Sequence, residues 1–154
     1  MKIYFAGSIR GGRDDKELYL EVINLLGKYG KVLTEHIGDK TLSAMGEDGL
    51  TDEYIYDRDM AWLNEADVVV AEVTTPSLDV GYEIGKMEGK KPILCLYREQ
   101  NGKRISAMIG GNKNVKIEIA IQESSRNRTQ RFRKTFYTFF RTRIWDRNSR
   151  RTFF

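Results

Sequence analysis

The stretch Asp67–Val73, DVVVAEV, is the strongest strand signal in the chain and decides the fold. Its apolar residues are continuous rather than alternating with polar ones, which is typical of a strand buried on both faces of a parallel sheet. A loop follows, and then a helix predicted from about Val80 to Glu88. This order indicates the central strand of an α/β domain.

The segments on either side repeat this alternation of strand and helix. Further strands are predicted at 2–6, 31–35, 92–97 and 115–119, and helices at 18–29 and at 51 to about 65. The pattern predicts a five-stranded parallel sheet with helices on both faces. Because ligands of such sheets bind at the carboxyl ends of the strands, the candidate binding loops are 7–12, 36–50 and 74–81.

The composition excludes several classes of protein. A length of 154 residues fits one domain, and 40% hydrophobic with 31% charged residues is typical of neither a membrane span nor a disordered chain. One cysteine (Cys95) and one histidine (His36) do not supply the ligands of a zinc or iron–sulfur site. The first apolar stretch is shorter than that of a signal peptide. We therefore expect a cytoplasmic protein without metal or cofactor.

The charge is divided between two parts of the chain. Residues 124–154 hold nine Arg, one Lys and one Asp, a net charge of +9, whereas residues 1–123 have a net charge of −5. We expect an acidic α/β domain over 1–123 and a basic, Phe- and Arg-rich tail over 124–154. The acidic charge of the first part argues against nucleic-acid binding there.

Three interpretations of the tail stay open. A final amphipathic helix that covers the sheet is favoured because five apolar residues fall on one helical face: Phe132, Phe136, Phe139, Phe140 and Ile144. The abrupt change of composition also fits a shifted reading frame or another non-native end. A basic aromatic arm for nucleic acid or an anionic membrane is the least favoured.

The turn after the first strand reads Gly7-Ser8-Ile9-Arg10-Gly11-Gly12. Glycines let backbone N–H groups approach an anion, while Ser8 and Arg10 add a donor and a charge suited to phosphate. The motif is neither GxGxxG nor a P-loop. A simple connection between strand and helix is therefore the alternative.

Two carboxylates are candidates for chemistry. Glu83 lies near the start of the helix after the central strand and could act as nucleophile or base; the alternative is an acid that stabilises the helix dipole. Asp59 cannot share a helix face with Asp57, and a solvated surface position is the alternative for each. Asp79 is a further loop acid within reach of the crevice.

Three other side chains have structural alternatives. Tyr4 and Trp62 are flanked by apolar residues in a strand and a helix, as core residues are. His36 follows the second strand, where a local hydrogen-bonding role is the alternative to a functional one. Catalysis by a serine triad is poorly supported because no GxSxG motif occurs.

Several segments resemble the 2′-deoxynucleoside 5′-phosphate N-hydrolases, a family of the nucleoside 2-deoxyribosyltransferase superfamily. They are YFAGSIRGGR, VLTEHI, DMAWL, ADVVVAEVTTPSLDVGYEIG, ILCLYR and ISAMI, in order over about 3–119. The resemblance implies a flavodoxin-like (Rossmann-like) three-layer α/β fold and a homodimer. It also implies cleavage of the N-glycosidic bond of a 2′-deoxynucleoside 5′-monophosphate. The alternatives are a nucleoside 2-deoxyribosyltransferase and a non-catalytic nucleotide-binding module.

The resemblance also implies roles for individual residues. Glu83 would attack the anomeric carbon, Asp59 would orient the nucleophile or protonate the leaving base, and Tyr4 would hydrogen bond to the carboxylate. The implied residues for the phosphate and the rest of the substrate are Gly7, Ser8, Ile9, Arg10, Gly11, His36, Ser77, Gly81, Ser106 and Met108. Ser106 would reach the site of the neighbouring subunit, with Met108 at that border.

Two positions bear on the phosphate. Ser77 favours a monophosphate. The resemblance implies an acidic loop residue at the matching place in the nucleoside-using transferases, and an acid there would repel a phosphate. Asp79 departs from the small residue expected in the hydrolases, and its negative charge predicts weaker phosphate binding or an altered preference.

Overall fold

A computed structural model describes residues 1–9, 15–38, 49–120 and 125–145, with side chains omitted at 120, 125, 126 and 145. All five strands are parallel: β1 (Lys2–Ala6), β2 (Lys31–Val32), β3 (Val68–Glu72), β4 (Ile93–Arg98) and β5 (Lys116–Ala120). Their order in the sheet is β2-β1-β3-β4-β5. This is the flavodoxin-like order, so the predicted fold class is confirmed.

Within the described residues, five α-helices and two shorter helical turns accompany the sheet. The helices are α1 (Lys16–Leu26), α2 (Asp52–Glu65), α3 (Leu78–Met87), α4 (Ala107–Gly110) and α5 (Ser125–Phe140). A 3₁₀ turn covers Glu35–Gly38, and a π-helical turn covers Arg141–Trp145. Residues 10–14 and 39–48, in the predicted binding loops, lie outside the described residues.

The sheet separates two hydrophobic cores, which makes the fold three-layered. Alternate strand residues point to opposite faces, so Ile3 and Phe5 of β1 pack with α1 and α5, whereas Tyr4 packs with α2 and α3. All five residues of β3 are buried, as the unbroken apolar stretch predicts. Tyr4 is therefore aimed from the middle of the sheet toward α3.

Strand β2 is shorter than predicted. The expected strand covered 31–35, but regular pairing stops after Val32. Two residues later, the Thr34 hydroxyl accepts a hydrogen bond from Phe5 N (2.9 Å) and donates one to Phe5 O (2.7 Å). The side chain thus replaces the backbone as the partner of β1, and the chain turns away into the 3₁₀ segment.

Helix α3 begins earlier than predicted. Its first residue is Leu78 rather than Val80, because Ser77 is the N-cap and its hydroxyl accepts from Val80 N at 3.5 Å. Glu83 consequently lies in the second turn, beyond the reach of a first-turn dipole effect. Asp79 is the acid of the first turn.

Helix α5 covers one face of the sheet. Phe132, Phe136, Phe139 and Phe140 are buried against α1 and the strands, and Ile144 packs beside them. Two polar contacts join α5 to α1: Arg128 Nη2 donates to Glu21 Oε2 at 2.9 Å, and the Thr129 hydroxyl donates to Glu21 Oε1. This apolar face is an integral part of the core.

Candidate functional site

Tyr4 and Glu83 meet beneath helix α3. The buried Tyr4 hydroxyl donates a hydrogen bond to Glu83 Oε1 at 2.5 Å, across 79 residues of sequence. The strand supplies a rigid support for the tyrosine, and the second turn of α3 supplies the carboxylate. The hydrogen bond orients one carboxylate oxygen and leaves the other oxygen with a distinct environment.

Burial dominates the electrostatics of this pair. It raises the pKa of Glu83 to about 8; the Tyr4 hydrogen bond opposes that rise, whereas the negative charges of Asp59 and Asp79 add to it. Burial and the nearby Glu83 also raise the pKa of Tyr4, so its hydroxyl remains a proton donor. A carboxyl group with so high a pKa is typical of a functional site.

Asp59 lies on α2, which packs with α3 and Tyr4 on the same face of the sheet. Its side chain is partly buried, unlike that of Asp57, which is exposed. Its charge raises the pKa of both Tyr4 and Glu83, which places it electrostatically beside the pair. The solvated alternative therefore fits Asp57 and not Asp59.

Ser8 lies just after the carboxyl end of β1. Its residue is fully buried, its backbone N–H donates to the Tyr19 hydroxyl at 3.2 Å, and its own Oγ has no hydrogen-bond partner among the described residues. The preceding Gly7 allows this close packing, since a Cβ there would lie 3.1–3.3 Å from Tyr19, Phe5 and Ile37. A buried hydroxyl without a partner is suited to a ligand.

The start of α3 follows the carboxyl end of β3, the strand next to β1. The Ser77 side chain caps this ten-residue helix, and the positive end of the helix dipole lies there. Gly81 is exposed, and a Cβ at that position would meet no atom within 4 Å. Asp79, also exposed, brings a negative charge to this end. Helix N-termini are common anion sites, and Asp79 opposes that preference here.

The remaining predicted site residues are dispersed. His36 is half-buried in the 3₁₀ turn, with its ring 5.5 Å from the Trp62 ring. Ile9 packs partly against the core of α1 and α5. Ser106 and Met108 are exposed at α4, Met108 to 82%. Arg10 and Gly11 lie outside the described residues.

The sequence reasoning missed a charged network at the ends of β3 and β4. Glu72 is buried, and it accepts hydrogen bonds from the Thr74 hydroxyl and, at 3.3 Å, from Thr74 N. Arg98 forms an ion pair with Asp15, and its Nε lies 3.6 Å from Glu72 Oε1. An acid within the apolar stretch DVVVAEV was the signal that could have revealed it, because a charge is rarely buried without a partner.

We expect Glu72 to make the protein less stable as pH rises. Burial raises its pKa to about 7 in the folded protein, against 4.5 ordinarily, so the unfolded chain ionises first. Between about pH 4.5 and 7, unfolding releases a proton, and the free energy of unfolding falls by up to about 3 kcal/mol. Glu72→Gln keeps an acceptor for Thr74 and removes this contribution. Urea unfolding at pH 5 and pH 8 measures the free energy of unfolding of the parent protein and of Glu72→Gln.

The matched control is Glu17→Gln, on the exposed side of α1. We expect it to show the same loss of stability between pH 5 and pH 8 as the parent protein. Glu83 contributes with the same sign, so part of the loss remains in Glu72→Gln. An equal loss in Glu72→Gln and in the parent would contradict the prediction.

The described residues contain neither a group of metal-ligating side chains nor a membrane-spanning helix. Within 1–9, 15–38, 49–120 and 125–145, no three His, Cys, Asp or Glu side chains are grouped so as to hold a metal ion. In the same part of the chain, no helix has both the length and the apolar character needed to cross a bilayer.

Comparison with known proteins gives a consistent set of relatives. The profile of the family described as nucleoside 2-deoxyribosyltransferase matches residues 3–124. The 5-hydroxymethyl-dUMP N-hydrolase of Mus musculus is 57% identical over 111 residues, which cover 71% of this chain and 64% of that protein. This chain thus spans less than two thirds of the mouse protein. The Esox lucius protein of the same name is 54% identical, over 72% of this chain and 79% of its own.

A third relative and a solved structure extend the comparison. A Nematostella vectensis protein with the provisional name 2′-deoxynucleoside 5′-phosphate N-hydrolase 1 is 60% identical, over 75% of this chain and 80% of its own. The Clostridium botulinum CMP N-glycosidase BcmB superposes with a TM-score of 0.51 at 16% identity, over 84% of this chain and 96% of that one. At so low an identity, this likeness concerns the fold alone.

Proposed function

Because this chain belongs to the nucleoside 2-deoxyribosyltransferase family, we propose that it hydrolyses the N-glycosidic bond of 2′-deoxynucleoside 5′-monophosphates. The products are the free base and 2-deoxyribose 5-phosphate. The relatives at 54–57% identity that are named 5-hydroxymethyl-dUMP N-hydrolase support a nucleotide with a modified pyrimidine as one substrate to test.

The observation that carries the proposal is the Tyr4–Glu83 hydrogen bond beside Asp59. Glycosidic cleavage passes through a cation-like sugar, which a carboxylate close to the anomeric carbon stabilises. A Glu83 oxygen forms a bond to C1′ while the C1′–N bond breaks and its electron pair leaves with the base, which takes up a proton from solvent. Water then attacks C1′ and releases a proton to solvent, the ester bond to Glu83 breaks, and the carboxylate is regenerated.

The phosphate is proposed to bind between the end of β1 and the start of α3. The unpartnered Ser8 hydroxyl and the capped N-terminus of α3 at Ser77 support this placement, and Arg10 follows Ser8 in sequence. Remote binding of a phosphate can be used to orient the reacting bond. The chemistry uses carboxylates alone, without metal or cofactor. A cytoplasmic location completes the proposal, since the single Cys95 suits a reducing compartment.

Chromatographic detection of free base tests the proposal. The protein is incubated with the four deoxynucleoside monophosphates and 5-hydroxymethyl-dUMP, and with the ribonucleotides and unphosphorylated deoxynucleosides as controls. Release from the deoxy monophosphates alone is the expected result. A new nucleoside or nucleotide after addition of a free base would instead indicate a transferase. Tight nucleotide binding without any release would indicate a binding module.

A homodimer is the proposed assembly, formed through α2, α3 and α4. These helices expose large apolar side chains, with Leu78 exposed to 93% and Met108 to 82%. Helix α3 also carries Gly81 and Gly85, where a Cβ would meet no atom of the described residues within 4 Å. Glycine in a helix costs stability, and among the described residues no contact compensates for that cost at these positions. A second copy of the chain packed against α3 would fill the space beside Gly81 and Gly85.

Sedimentation velocity tests the assembly. We expect the parent protein to sediment as a dimer and Leu78→Arg to sediment as a monomer, because the arginine places a charge in the apolar contact. The control is Tyr137→Arg, at an exposed position of α5 on the opposite layer. A monomeric parent protein, or a dimer unaffected by Leu78→Arg, would contradict the proposed interface.

A further inference from the structure

Arg58 is held between aromatic rings on α2. Tyr54, Arg58 and Trp62 are spaced four residues apart, so they stand above one another on one side of the helix. The guanidinium carbon lies 4.7 Å from the centre of the Trp62 ring and 6.0 Å from that of Tyr54. These are cation–π distances, and they restrict a side chain that is otherwise flexible.

The Arg58 guanidinium also forms an ion pair with the carboxylate of the neighbouring Asp59. Arg58 Nε and Nη2 both lie 2.9 Å from Asp59 Oδ1. The Arg58 side chain is 14% exposed and that of Asp59 28%, so water screens the pair only partly. The side chains of adjacent helical residues point about 100° apart. The Arg58 side chain therefore bends around the helix to reach Asp59. The two aromatic rings hold it in that position.

We infer that Arg58 is a positioning residue that fixes Asp59 as an oriented anion and balances its charge beside Glu83. The inference deepens the proposed function and rests on it for its catalytic meaning. An ion pair that includes a charge-assisted hydrogen bond fixes the orientation of the carboxylate. Asp59 held in this way is suited to orient the reacting groups.

The charges around Asp59 agree with this role. Arg58 pairs with Asp59 on α2, and the charge of Asp59 acts on Tyr4 of β1 and on Glu83 of α3. Asp79 of α3 also acts on Glu83, and the His36 ring lies 5.5 Å from the Trp62 ring. At the Tyr4 hydroxyl, the charge of Asp59 raises the pKa and the charge of Arg58 lowers it. The two charges thus oppose each other at the group that hydrogen bonds to Glu83. We therefore expect that removal of Arg58 leaves the charge of Asp59 unopposed at the Tyr4 hydroxyl, which hydrogen bonds to Glu83.

Carboxyl carbon NMR of the free protein tests the inference without requiring turnover. In Arg58→Gln we expect the titration of Glu83 to move upward by about 0.5–1 pH unit, because a compensating positive charge is lost. Arg58→Lys keeps the charge and is expected to leave the titration close to that of the parent. Lys86→Gln, which removes an exposed cation of α3, is the control for a general loss of positive charge.

Kinetics with the deoxynucleoside monophosphates supply the second readout. In Arg58→Gln we expect kcat to fall about tenfold with little change in KM, and the acid limb of kcat/KM to move upward with the Glu83 titration. In an Asp59→Asn background, the same substitution is expected to have little further effect on kcat.

The outcomes separate the two proposals. No base release by the parent protein would overturn the proposed hydrolase, while a shifted Glu83 titration in Arg58→Gln would still support the charge balance. An unmoved titration would overturn the inference whatever the activity. Equal losses of kcat with and without the Asp59 carboxylate would also overturn it, since Arg58 would then act independently of Asp59.

Discussion

Replacing Glu83 by glutamine is expected to reduce base release by about three orders of magnitude or more, with little effect on the fold. The substitution preserves the size of the side chain and an acceptor for the Tyr4 hydroxyl, but it removes the anion that attacks C1′. Because burial raises the pKa of Glu83 to about 8, neutral glutamine resembles the carboxyl group that the folded protein already favours at neutral pH. Steady-state base release measured from pH 6 to pH 10 tests the expectation.

The matched control for this variant is Glu88→Gln. Glu88 follows α3 immediately, is exposed, and accepts a hydrogen bond from Asn114 Nδ2 at 2.9 Å that a glutamine can retain. We expect its activity to equal that of the parent protein. Substantial base release by Glu83→Gln would exclude the covalent route through Glu83, and water or another group would then be the nucleophile.

Removing the Phe136 ring is expected to produce the largest loss of stability. Phe136 is fully buried on α5, with its ring centre 5.9 Å from that of Phe132, 6.1 Å from that of Phe140 and 6.2 Å from that of Tyr29. Phe136→Ala leaves a cavity within this cluster, and such substitutions cost about 3–5 kcal/mol. Urea unfolding followed by circular dichroism measures the change.

The adjacent Tyr137 provides the control. Its side chain is 52% exposed on the same helix, so Tyr137→Ala is expected to change the free energy of unfolding by about 0.5 kcal/mol or less. If Phe136→Ala does not fold, Phe136→Leu removes less volume and is expected to show a smaller loss in the same direction. Equal effects at positions 136 and 137 would mean that α5 is not part of the core in solution.

The alternation of strands and helices could be read from the sequence because it depends on local periodicity. The unbroken apolar run around Val70 predicts burial on both faces, and the five predicted strands are present along the chain. Their ends were less predictable. Strand β2 stops early because the Thr34 hydroxyl bonds to Phe5, a contact 29 residues away in sequence that no local pattern contains.

Some residues of the candidate site could likewise be predicted from the sequence, and others could not. Glu83 and Asp59 were recognisable as acids in predicted helices, and the quoted motifs supported their selection. Arg58 and Glu72 were not selected, because their importance depends on neighbours: the Trp62 ring for one, and Thr74 with Arg98 for the other. Whether a charge is solvated, paired or buried depends on the whole fold.

By itself, the sequence determined the fold class, the order of the elements and the apolar face that became α5, because hydrophobic burial requires these periodicities wherever a chain folds. The resemblance implied a hydrogen bond from Tyr4 to Glu83, but only the tertiary structure gives its geometry and the burial that raises the pKa of Glu83 to about 8. The physical reason is that desolvation and charge–charge interactions act through space. They depend on distance and on exclusion of water, which a linear sequence does not record.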